Sequence, residues 1–256
     1  MIMPVPVPVP DALVNRIGLE ICVDTSAGLA AAQLDCVNRI ELCAALGLGG
    51  ITPSGGFIDQ ARLSRIPVFV MIRPRAGNFI FSPAEEAQMM RDIALVRQAG
   101  LSGVVLGAAN ASGGLDDSLL ARLSRACGSL RRQLHRVIDM VSDPFHALDQ
   151  AIDLGFERVL TSGQAIRAID GVACLARLVD HARGRIDVMA GSGINPGNVG
   201  QIMHVAGIKS VHASCRKFAG VQDKKLDHFG FAALNAETSA AEIIRLHEAI
   251  GSATQA

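Results

Sequence analysis

Eight short runs of aliphatic and β-branched residues, each followed by a longer stretch with helical periodicity, constrain this 256-residue chain more than any other feature. They are Gly18 to Val23, Arg39 to Cys43, Val68 to Ile72, Gly103 to Leu106, Gln133 to Ile138, Arg158 to Thr161, Ile186 to Ala190 and Ser210 to Ala213. Successive runs start roughly 20 to 35 residues apart, the spacing of a strand plus a crossover helix rather than of a hairpin, so parallel strands are expected. The intervening stretches carry helix punctuation. Ser82-Pro83-Ala84-Glu85 reads as a capping box with proline at the first helical position, Met89, Ile93 and Val96 form one apolar face, and Gly100 closes the helix. Further helices are expected to open at Asp143-Pro144, Asn195-Pro196 and the Ser239-to-Glu242 capping box, and to close at Gly155, Gly207 and Gly251.

Eight strand–helix pairs are the inventory of a single-domain (β/α)8 barrel, which takes ~250 residues. The barrel is expected over 17–256, preceded by an extended tail over 1–16 in which Val and Pro alternate from Pro4 to Pro10. An open doubly wound sheet is the alternative, but Cys22-Val23-Asp24-Thr25-Ser26-Ala27 follows the first strand where a nucleotide-binding G-x-G-x-x-G would stand, so no nucleotide cofactor motif is present. Half of the residues are hydrophobic, and 24 basic residues balance 24 acidic ones. That excludes a disordered chain and gives no basic surface for nucleic acid. Every apolar stretch is interrupted before the ~20 residues of a membrane span. The N-terminus has no basic residue ahead of a continuous apolar core, which argues against a signal peptide. Cys22, Cys36, Cys43, Cys127, Cys174 and Cys215 include no C-x-x-C pair, as expected of reduced thiols in a cytoplasmic protein.

Polar residues interrupt the strands where a barrel would converge on one mouth. Glu20, Glu41, Arg73, His135, Asp139 and Thr161 lie at or near strand C-termini, and the two glutamates are expected to pair with Arg73, Arg75 or Arg136 because lone buried charges are costly. One reading is a salt-bridged plug. The other is a pocket in which His135 or Glu20 moves a proton and Arg73 holds an anionic substrate. Gly191-Ser192-Gly193 after the seventh strand, His212 and Ser214 at the end of the eighth, and Thr161-Ser162-Gly163 after the sixth could form a cradle for phosphate or carboxylate. Cys22 and Cys43 follow Glu20 and Glu41 on adjacent strands; they read either as thiolates suited to Cu(I) or as buried core cysteines.

Glu20-Ile21-Cys22, Arg39-Ile40-Glu41-Leu42-Cys43, Gly49-Gly50-Ile51-Thr52-Pro53-Ser54, Ile72-Arg73-Pro74-Arg75, His135-Arg136 with Asp139, Arg158 to Gly163 and the Gly191-to-Gly193 turn together resemble the CutC family, in order from about Gly18 to Ser214. The resemblance implies a cytoplasmic (β/α)8 barrel associated with copper tolerance, with copper bound through cysteines such as Cys22 and Cys43. Where the family has R-P-R-G-G-D-F, this chain has Arg73-Pro74-Arg75-Ala76-Gly77-Asn78-Phe79, an amide in place of a carboxylate. The stretch from Arg216 to Ala236 departs from the pattern and reads as a lid, a loop or an oligomer contact.

Two functions follow. One is a protein that holds Cu(I) through Cys22 and Cys43. The other is an enzyme acting on a small anionic or phosphorylated metabolite by isomerisation, aldol-type cleavage or hydrolysis, with Arg73 and the glycine turn as anchors and His135, Glu20 or Asp139 as acid or base. No lysine stands at a strand end, which disfavours a Schiff-base aldolase. A homo-oligomer formed through the helical exterior is compatible with either.

Overall fold

The computed structural model describes residues 17–218, 224–229 and 236–255; the tail expected over 1–16 lies outside them. Eight parallel strands close into a barrel, β1 (Gly18–Val23), β2 (Arg39–Leu42), β3 (Val68–Met71), β4 (Gly103–Leu106), β5 (Arg131–Leu134), β6 (Arg158–Thr161), β7 (Asp187–Ala190) and β8 (Ser210–Ala213), with β8 hydrogen-bonded back to β1. The helices between them are α1 (Ser26–Ala31), α2 (Gly55–Gln60), α3 (Pro83–Ala99), α4 (Asp117–Cys127), α5 (Pro144–Asp153), α6 (Val172–Ala182) and α7 (Val199–Ala206), and α9 (Ala240–Gln255) completes the eighth unit. The (β/α)8 barrel expected from the strand spacing is the observed fold. No helix among the described residues is long and apolar enough to cross a membrane.

The capping box of α3 forms as read: Ser82 Oγ accepts from the Glu85 N–H, the Glu85 carboxylate accepts from the Ser82 N–H, and Gly100 ends the helix with a left-handed backbone. Met89, Ile93 and Val96 are all fully buried against the sheet.

Three elements differ from the sequence reading by more than one residue. The fifth strand is Arg131–Leu134 rather than Gln133 to Ile138, and Arg136–Met140 is a 3₁₀ helix. Its apolar Val137 and Ile138 are buried as a strand's would be, but His135 Nδ1 accepts from the Val137 N–H and Arg136 pairs with Asp139 three residues on, contacts that favour a turn. Asn195-Pro196 occupies a tight turn instead of opening α7, because Asn195 Oδ1 accepts from the Gly197 N–H and delays the helix to Val199. Gly251 does not close α9; Ala253 packs on Gly200 of α7 two residues later and the helix continues.

The segment after β8 is not a plain loop. Its described parts are a two-stranded antiparallel ribbon of β9 (Arg216–Phe218) and β10 (Ala236–Thr238), and the short helix α8 (Lys224–His228). Arg216 donates to the Ala236 carbonyl across the ribbon.

The barrel interior is stratified. A small apolar cluster of Cys43, Phe69, Met71 and Val105 sits apart from the main core between sheet and helices. Gly103 gives the Phe69 ring its place, since a Cβ there would approach the ring to 2.5 Å.

Candidate functional site

Beside that cluster lies a buried layer of charge. Register sets Glu20 of β1 opposite Arg39 of β2, and their side chains form a buried ion pair. Glu20 also accepts from Gln133 Nε2 at 3.2 Å and sits 2.7 Å from His212 Nδ1. Arg39 reaches Glu157 at 3.6 Å and lies 4.6 Å from the centre of the Phe69 ring. Burial would raise the Glu20 carboxyl, but Arg39, followed by His212 and Gln133, holds it down at about 2. The expected pairing of Glu20 and Glu41 with Arg73, Arg75 or Arg136 is therefore corrected: Arg39 and His212 take that place. The register partner of Glu20 was the available sequence signal, because an opposite charge stands at the matching position of the next strand.

One pair nearer the strand C-termini, Cys22 of β1 faces Glu41 of β2, with His212 of β8 alongside. One donor atom from each of Cys22, Glu41 and His212 lies within 4.8 Å of the others, the group among the described residues able to hold a metal ion. Glu20 fixes His212 through Nδ1, and Nε2 lies 3.9 Å from Glu41 Oε2. A carboxylate on the remote imidazole nitrogen is the arrangement that orients metal-ligating histidines. Burial would lower the His212 pKa, yet the surrounding Cys22, Glu41 and Glu20 push it well up. Glu41 is raised, chiefly by burial. Cys43 is not one of the three donors. Its thiol donates to Glu41 Oε2 at 3.4 Å within the apolar cluster, and burial pushes its pKa far up.

Above this layer opens a pocket of about 450 Å³. Of the residues expected at the mouth, Cys22, Glu41, Arg73, His135, Arg136, Asp139, Ser192, Gly193, His212 and Ser214 line it. Glu20, Cys43, Arg75, Thr161, Ser162 and Gly191 do not line it but support it or stand on its rim. Arg75 is spent on Glu85 and on the carbonyls of Ala76, Asn78 and Ile80, and Asn78 accepts from it through its amide oxygen. A carboxylate at 78 is not needed for that contact. The hydrophobic lining residues Met71, Phe79, Leu160 and Ile194, and Arg216, carried no sequence signal that marked them as pocket walls.

The candidate acids and bases separate on their hydrogen bonds. Asp139 accepts from Thr161 Oγ1, the Ser162 and Gln164 N–H groups, Ser162 Oγ and Arg136 Nε, so its carboxylate is occupied as a brace between the 3₁₀ turn and the end of β6. Arg73 donates through Nη1 to the Leu48 and Gly50 carbonyls and through Nη2 to Gly77, clamping two loops together. His135 is 4% exposed; its Nδ1 accepts from Val137, which leaves the proton on Nε2. Burial, with Arg73 nearby, lowers its pKa to about 3 and keeps the imidazole neutral. A Cβ at Gly107 would come within 2.5 Å of this ring, so the glycine makes room for it. Three buried polar atoms of the lining residues have no partner: His135 Nε2, Arg73 Nε and Glu41 Oε1. Each such group left unsatisfied costs about 1–3 kcal/mol.

The CutC family profile matches residues 17–217. A family protein CutC from Agrobacterium fabrum is 51% identical over 197 residues, covering 77% of this chain and 78% of that protein. Its counterpart from Sinorhizobium medicae is 46% identical over 219 residues, 86% of this chain and 89% of that one. Among solved structures, CutC from Streptococcus agalactiae, named for copper homeostasis, superimposes with a TM-score of 0.74 at 32% identity, over 77% of this chain and 98% of its own. Phosphoribosylanthranilate isomerase from Pyrococcus furiosus, at 12% identity and a TM-score of 0.55, shares the fold alone. With the family profile spanning all eight barrel strands and relatives near half identity, this chain belongs to the CutC family.

Proposed function

We propose that this protein handles copper in the cytoplasm, taking the ion as cargo at the barrel mouth between Cys22 Sγ, the Glu41 carboxylate and His212 Nε2. The observation that carries the reading is the convergence of those three donor atoms within 4.8 Å. A thiolate with an imidazole suits copper, and the copper homeostasis name of the streptococcal relative points the same way. Glu20 would hold the His212 ring with Nε2 turned to the ion, and Cys43 would steady Glu41 rather than bind directly. The imidazolium of His212 must lose a proton to bind, so affinity is expected to rise with pH.

Anaerobic titration of Cu(I) against a competing chromogenic chelator tests this. Cys22→Ser is expected to weaken affinity at least roughly a hundredfold, and Cys43→Ser by less than about tenfold. A double Cys22→Ser/Cys43→Ser variant that stays folded and binds Cu(I) as tightly as the wild type would falsify the reading.

A further inference from the structure

Two of the three unpartnered atoms around the pocket, His135 Nε2 and Arg73 Nε, belong to side chains with no role in holding a metal at Cys22. His135 Nε2–H and Arg73 Nε–H are both donors, on side chains 4% and 6% exposed, and Glu41 Oε1 stands with them on the wall of the same cavity. The His135 ring is fixed by the Val137 N–H and by Phe79, whose ring centre lies 4.8 Å away, and Arg73 is fixed by three loop carbonyls. Neither donor can turn to find a partner within the protein. A ligand bearing an acceptor oxygen would complete both.

The opposite wall of the pocket is made by Ser192, Gly193, Ile194 and Ser214, from the loops after β7 and β8. Ser192 and Gly193 are consecutive left-handed residues, with φ of 79° and 73°. Among the described residues, the N–H groups of Ser192, Gly193 and Ile194 make no hydrogen bond, while the Ser192 hydroxyl is spent on the Ile166 carbonyl. Consecutive free amides in such a conformation form an anion-binding concavity, and these two loops are where a (β/α)8 barrel most often seats a phosphate. The lining arginines, Arg73, Arg136 and Arg216, outnumber the lining carboxylates Glu41 and Asp139, and Asp139 is already matched by Arg136. The cavity is in the size range of a small-metabolite site.

We infer that the barrel mouth binds a small phosphate monoester carrying a carbonyl or hydroxyl group, with the phosphate on the Ser192–Ile194 amides and Ser214, and the oxygen function on His135 Nε2–H and Arg73 Nε–H. The inference goes beyond the copper reading and does not rest on it, because the donors it uses belong to other side chains.

Isothermal titration of the full chain, stripped of metal with a chelator, against ribose 5-phosphate, fructose 6-phosphate and glycerol 3-phosphate tests it, with the unphosphorylated parents and inorganic phosphate as controls. At least one ester is expected to bind below roughly 1 mM, in the range of metabolite sites, with its parent binding far more weakly. His135→Gln and Ser214→Asp are each expected to weaken that binding roughly tenfold to a hundredfold, the second by charge repulsion on a surface loop that leaves the fold intact. Cu(I) affinity is expected to be unchanged in both variants, so that failure here and failure of the copper reading are separate results. The inference is overturned if none of the esters binds, if inorganic phosphate binds as tightly as every ester, or if Ser214→Asp binds the ester like the wild type.

Discussion

His135 shows how one burial decision fixes a side chain's chemistry. Held neutral with a pKa near 3 against an ordinary 6.5, it remains unprotonated in the folded chain while the unfolded chain takes up a proton between those values. The folded state therefore loses stability through this group as pH falls from about 6.5 toward 3. Glu20, held at about 2 against 4.5, adds a second loss of the same sign at lower pH, whereas His212, raised above 6.5, contributes stability that disappears as pH rises through its folded value. Urea unfolding midpoints measured across pH 4.5–6.5 are expected to fall less steeply on acidification in His135→Gln than in the wild type. Equal slopes would show that His135 is not buried neutral. Sequence placed His135 at the mouth because polar residues at barrel strand ends converge there. It offered no means of telling that Asp139 is saturated by five donors while His135 has one nitrogen left, since that depends on how the Thr161–Gln164 turn folds back.

Among the elements, α3 is the case in which local signals and tertiary packing agree. Its cap, its apolar stripe and its glycine stop are all in the sequence, and Arg75 further anchors Glu85 of the capping box to the loop after β3. Ser82→Ala is expected to remove about 1 kcal/mol of stability, read as a lower denaturant midpoint with unchanged slope. A midpoint equal to wild type would mean that packing of Met89, Ile93 and Val96 sets the helix start without the cap. The strands were legible because a run buried on both faces is apolar throughout, as in β3 and β4. β5 was misplaced for the complementary reason: Arg131 and Arg132 open it at the exposed end of the barrel, and the apolar residues that look like its continuation belong to the 3₁₀ turn. The start of α7 and the end of α9 were set by an asparagine turn and by a helix–helix contact, which the pattern of residues alone did not distinguish from ordinary caps.

At the scale of the whole molecule, the Glu20–Arg39–Gln133 layer links β1, β2 and β5 across the barrel interior and reaches β8 through His212. Arg39→Met is expected to destabilise the protein by roughly 3–5 kcal/mol, because it leaves Glu20 buried without its cation. The double variant Glu20→Gln/Arg39→Met should recover part of that loss. Chemical denaturation of the three variants and the wild type gives the cycle, and additive effects would show that the two side chains are not coupled.

The same layer has a consequence for traffic. Glu20, Arg39 and Gln133 are each at least about nineteen-twentieths covered, and none of them lines the pocket above. The pocket thus ends blind on a floor of charge and is not a conduit through which an ion could be handed from one face of the barrel to the other. Cys22, Glu41 and His212 open into the same cavity as Ser192, Gly193 and Ser214. A phosphate ester seated on the Ser192–Ile194 amides is therefore expected to slow the arrival and departure of an ion held at Cys22, because the two would share one cavity.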